Sequence, residues 1–141
     1  MTTIYEPYRV LDWLRTTLTP LAAGGAWPGV APAGVTSPFI VYALDSPTDI
    51  PGVAGTRLWN SSLYSVKVVG TAEQDVTLAS IADAVDAALQ LVGDFTIGPN
   101  SDGHLMRCVR EGPLPVPVEV VNGVSWVTYG ALWRIQARQA S

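Results

Sequence analysis

Apolar positions along the chain follow two spacings, and the switches between them lay out its elements. Val10, Leu11, Trp13, Leu14 and Leu18 recur every three or four residues. They predict an amphipathic helix over 7–18, with Pro7 near its first turn and a stop before Pro20. Residues 21–38 are mostly Ala, Gly and Pro with few charges, and predict an irregular connection held down by Trp27 and Val30. Phe39 to Leu44 is a β-branched and aromatic run between Pro38 and Pro47, the pattern of a buried strand. Residues 46–56, with Pro47, Pro51, Gly52 and Gly55, then predict an extended loop or arm, and loops of that length are uncommon without a role.

From Arg57 the period returns to two. Tyr64, Val66 and Val68 share one face of a long strand, with Ser61, Ser65 and Lys67 among the alternates and room for a bend at Asn60-Ser-Ser62. Gly70 ends that strand, and Thr71-Ala-Glu-Gln74 has the form of a capping box opening a second helix. In that helix Leu78, Ile81, Ala82, Val85, Ala88, Leu89 and Val92 make one stripe. A brief strand at Phe95–Ile97 and an alternating run from His104 to Glu111 follow. Strands over 114–121 and 124–137 then flank Asn122-Gly123, a strong signal for a two-residue hairpin turn. Pro113, Pro115 and Pro117 cannot donate to a ladder, which puts the first of these strands at an edge. In the second, Val127, Tyr129, Ala131, Trp133 and Ile135 face inward and Trp126 outward. The order predicts an α+β fold, a mainly antiparallel or mixed sheet of about 4–5 strands with helices packed on one face. Residues 1–141 form a single domain in this reading, with 46–56 as its arm.

Composition adds one constraint. Apolar residues make up 48% of the 141 positions and charged residues 14%, well below the share usual on a solvated surface. Either sister subunits cover part of that surface, or the chain reflects the Ala, Val and Gly usage of a high-GC genome. No apolar run is long enough to cross a bilayer, and Met1-Thr-Thr-Ile-Tyr-Glu6 lacks a basic and an apolar export region, so neither membrane insertion nor export by signal peptide is expected. Net charge is −4 and the eight basic residues are scattered, which offers no footprint for gripping phosphates.

Candidate chemistry is thin. His104 and Cys108 are the residue types of a nucleophile and its base, but four residues apart on a strand they stand too far apart to hydrogen-bond. Cys108 reads instead as a core residue, and as the one cysteine it forms no internal disulfide, consistent with synthesis in a reducing cytoplasm. Glu73, Asp75, Asp83 and Asp86 could suggest paired carboxylates or a metal site; on a single helix without His or Asn they read as a solvated face. Ala23-Gly-Gly-Ala26 lacks the Lys-Ser/Thr of a phosphate loop. No catalytic residue, metal or cofactor is expected, and the chain reads as a non-enzyme. Trp59, beside the arm, and Trp126, on the outward sheet face, are placed where an interface would use them; partial exposure or a second covering layer explains them equally well.

In order and pattern the chain resembles the tail-terminator (tail-completion) family of long-tailed phages. The likeness rests on an N-terminal helix, a Pro-rich connection, Ser37-Pro-Phe-Ile-Val-Tyr42 as a first strand, an acidic Pro/Gly loop and Leu63-Tyr-Ser-Val-Lys-Val-Val69 as a long strand. An Ala-rich helix over 71–91 and Tyr129-Gly-Ala-Leu-Trp133 near the C-terminus complete it. The resemblance implies a homohexameric ring at the head-proximal end of a non-contractile tail, which halts tube polymerisation and presents a surface for head joining. Its partners would be copies of itself, the tail tube protein and a head-tail connector protein, with DNA passing through unbound. It would reside in the virion neck after synthesis in the host cytoplasm. Ring contacts are then expected from an exposed strand edge and the arm, at Asp49, Ile50, Pro51, Val53, Arg57 and Trp59, with Trp126 on the outward face. Another neck component, such as a head-completion or stopper protein, or a small ligand-binding α+β domain, are the alternatives.

Overall fold

The computed structural model describes residues 6–46, 49–51, 57–90, 95–97, 104–114 and 118–139. Two helices, α1 (Glu6–Leu18) and α2 (Asp75–Leu89), accompany eight strands: β1 (Ala26–Pro28), β2 (Phe39–Ser46), β3 (Asp49–Pro51), β4 (Arg57–Thr71), β5 (Phe95–Ile97), β6 (His104–Pro113), β7 (Val118–Val121) and β8 (Val124–Gln139). They form one sheet in the order β1-β2-β4-β8-β6-β5, with β3 added beside β4 and β7 beside β8. Among the described residues only β1 and β2 run parallel, so the sheet is mixed and the fold α+β.

The sheet is organised around β4 and β8, which pair without interruption from Asn60↔Ala137 to Thr71↔Trp126. Pairing is unbroken at Asn60–Ser62. Each long strand carries two shorter ones end to end along its outer edge. Along β4, β2 pairs with residues 63–69 and β3 with 57–60. Along β8, β6 pairs with 131–139 and β7 with 124–127. Leu114 N–H bonds Gly130 O at 2.8 Å, continuing the β6 line past Pro113.

Both helices pack on the same face of the sheet. The buried core joins Val10, Leu14 and Leu18 of α1 with Leu78, Ile81, Val85 and Leu89 of α2. Beneath them lie Ile40, Tyr42, Tyr64, Val66, Val68, Cys108, Val127, Ala131, Trp133 and Ile135. The alternation in β4 and β8 and the stripe on α2 therefore face as their periods require. Leu14, Leu18, Leu78 and Leu89 keep no exposed surface, and burying a leucine contributes about 2 kcal/mol.

The capping box at α2 forms on a short 3-10 turn, Ala72–Gln74: Thr71 N–H donates to Gln74 Oε1 at 3.0 Å, and the Thr71 side chain takes the amide of Gln74. Gln74 Nε2 also donates to Ser37 O at 3.2 Å, tying the start of α2 to the chain entering β2.

Three expectations need correction. The sheet exceeds 4–5 strands because β1, β3 and β5 are three-residue pieces, too short for a readable period, and only β5 is among the expected elements. The 21–38 connection contains β1. Trp27 is anchored there by its Nε1–H to Gly24 O at 2.8 Å, but Val30 is 82% exposed and holds nothing down. Finally, part of the 46–56 arm is β3, which folds back on β4 as Asp49↔Asn60, Ile50↔Trp59 and Pro51↔Arg57. Residues 52–56 lie outside the described residues.

Candidate functional site

The sheet ends carry the expected contact residues, and they carry them apart. Asp49, Ile50, Pro51, Arg57 and Trp59 come together in the β3–β4 ladder at one end of β4. Trp126 pairs with Thr71 at the other end, roughly 36 Å away along the sheet. Val53 lies outside the described residues. Trp126 is half-buried and sits on the face opposite the helices, as its register opposite Thr71 requires.

Among the described residues that opposite face is open, since both helices lie on the other side. Its rows run across β2, β4 and β8. Near β3 it is polar. Arg134 Nε makes an ion pair with Glu111 Oε1 at 2.6 Å, Arg134 Nη1 and Gln136 Nε2 approach Ser61 Oγ at 3.4 Å each, and Ser65 Oγ donates to Asp45 Oδ1 at 3.1 Å. Toward the other end it becomes apolar, with Phe39, Val41, Val69 and Leu132 half-buried around exposed Lys67.

At this apolar end β7 pairs with the start of β8 in a ribbon; Trp126 and Val127 still pair with β4, so only its turn end, Val120 to Ser125, runs past β4. The Asn122-Gly123 turn closes it, and both residues adopt positive φ (51° and 77°) as the sequence signal requires. Its tip stands beside the turn that opens α2, and apart from Glu119 and Ser125 its strand residues are apolar on both faces. Val118 and Val120 (each 66% exposed) stand on the helix side, and Val121 (44%) and Val124 (42%) on the open side. Outside an interface such a ribbon would be a liability, since exposed valines and a free edge invite association. Sequence reasoning marked the hairpin but not these valines. The available signal was Val120, Val121 and Val124 crowding the turn without the alternation a one-sided strand shows.

On the helix face a cleft of about 260 Å³ opens between α2 and the sheet, lined by Val66, Val68, Ala82, Val85 and Trp133, with the Arg110–Asp86 ion pair (3.5 Å) among its walls. Trp133 Nε1 is buried there without a hydrogen-bond partner among the described residues. Tyr129, another wall residue, donates its hydroxyl to Asp75, and that bond pushes its pKa up.

The residues considered for chemistry stay separate. His104 and Cys108 lie at positions 104 and 108 of one continuous strand, opposite Gln139 and Ile135. Burial pushes the Cys108 thiol up to about 12, so it remains protonated at neutral pH. Among the described residues no three His, Cys, Asp or Glu side chains converge as metal ligands, and no helix is long and apolar enough to cross a membrane.

No protein-family model and no curated protein matches the chain. Its fold is similar to that of a chain in the virion of a native gene transfer agent particle, with a TM-score of 0.57 and 16% identity over 92% of this chain and 92% of that one. At that identity the likeness is one of fold, and it extends over nearly the whole of both chains.

Proposed function

We propose that this chain is a structural subunit of a phage-type virion and, more specifically, a tail terminator. Copies of it form a ring, a hexamer, on the head-proximal end of a long non-contractile tail. The ring ends polymerisation of the tube and presents a surface to the head-tail connector, while DNA passes through its centre. The role is one of shape and contact and involves no catalysis. The observation that carries this reading is the shared fold with a virion chain over 92% of both molecules. The uncovered apolar ribbon and open sheet face support it, because a subunit of a closed assembly leaves such surfaces bare until its neighbours arrive.

The test is tube growth. Purified tail tube protein from the same virion, polymerised with and without this chain, is measured by electron microscopy. Short tubes with a density at one end are expected when the chain is present; an unchanged length distribution contradicts the reading.

The cleft beneath α2 favours a second reading, a small-ligand domain, since it is apolar and holds one unsatisfied donor, Trp133 Nε1. A ligand seated there would raise the melting temperature and quench Trp133, and would do so without changing the mass of any assembly.

A further inference from the structure

Two exposed charges of opposite sign each sit amid apolar surface. Glu119 is the one charge of the β7–β8 ribbon, opposite Trp126 and flanked on the open side by Val121 and Val124. Lys67 is exposed on the open face, with Val41 and Gly130 beside it and Val69 next along its row. Neither has an ion-pair partner among the described residues. Covering either patch with apolar surface alone would strand its charge, which is costly unless the covering surface supplies the opposite sign. Each patch supplies what the other lacks.

We propose that the ribbon of one copy lies across the open sheet face of a second copy, with Glu119 against Lys67 and Trp126 on the valines beside it. This rests on the self-assembly proposed above and names its contact. The pair cannot form within one chain. Glu119 is opposite Trp126 on one side of β8 and Lys67 opposite Gly130 on the other, four positions along and two strand spacings across, roughly 16 Å apart in a rigid sheet. When each copy offers its ribbon to one neighbour and its sheet face to another, the contact is heterologous and propagates around a ring.

Charge reversal tests it with the full chain. Glu119→Lys and Lys67→Glu are prepared separately, and each is checked for an unchanged melting temperature, as both side chains are exposed. Self-association is then followed by sedimentation for each variant, for their equimolar mixture and for the double variant. Each single reversal is expected to raise the apparent dissociation constant about tenfold or more. The mixture is expected to restore it to within about threefold of wild type, because every interface of alternating copies regains opposite charges. Wild-type assembly with both reversals indifferent, or single losses that the mixture does not repair, overturns the ribbon-to-face contact and leaves the assembly reading intact. A wild-type chain that stays monomeric overturns both.

Discussion

Cys108 shows what one residue contributes. Its thiol has a usual pKa of 9.0 and is held at about 12 in the fold by burial. Between those values the unfolded chain has released the proton and the native state still binds it, so stability present below pH 9 falls as pH rises, by roughly 1.4 kcal/mol per pH unit. Urea titrations from pH 8 to 10.5 should show that slope for the wild type. Cys108→Ala should lose this contribution, and the native thiol should resist alkylation until the protein unfolds. Gly24 is constrained by space. A Cβ there would come within 1.9 Å of Thr36 O and 2.9 Å of Pro38 O, both backbone atoms that do not yield cheaply. Gly24→Ala should therefore cost about 2 kcal/mol or more, read as a fall of several degrees in melting temperature. Cys108 was legible as core in the sequence because it lies in an alternating strand. Gly24 was legible only as a turn, because the carbonyls crowding it belong to residues twelve or more positions away.

At the scale of elements, the start of α2 is the clearest local signal. Thr71 and Gln74 share the capping box, but Gln74 also donates to Ser37 O, 37 residues back in the chain. Thr71→Ala should cost about 1 kcal/mol. Gln74→Ala should cost more, since it frees both the start of the helix and the entry to β2; chemical denaturation of the two variants measures the difference. Elements that repeat a period over many residues, α1, α2, β4 and β8, were readable in the sequence, and so was the Asn122-Gly123 turn, whose geometry demands its residue types. The short strands were not. β1 and β3 exist because a long neighbour offers ladder partners, Val41 to Trp27 and Trp59 to Ile50, and no local pattern encodes a partner that distant.

For the whole molecule, the sequence indicated one sheet with helices on a single side, and that is the architecture found. What it could not show is where the sheet ends. Val118, Val120, Val121 and Val124 look like ordinary strand residues, yet they are exposed at its edge, where β7 pairs with the start of β8 and the turn end runs past β4. Nor could it show that the β3–β4 residues and Trp126 lie at opposite ends of the sheet, since that separation depends on the β4–β8 register. Unlike patches on one subunit, such as the ribbon and the Lys67 face, suit a contact that repeats head to tail and closes on itself. Whether copies of the chain bury exposed surface of this kind is measured directly by the mass of the purified protein in solution across a wide concentration range. The expected result is a closed particle of six 15.0 kDa chains, about 90 kDa, seen as six-fold rings by negative stain. A species that stays at the mass of one chain at every concentration would contradict it.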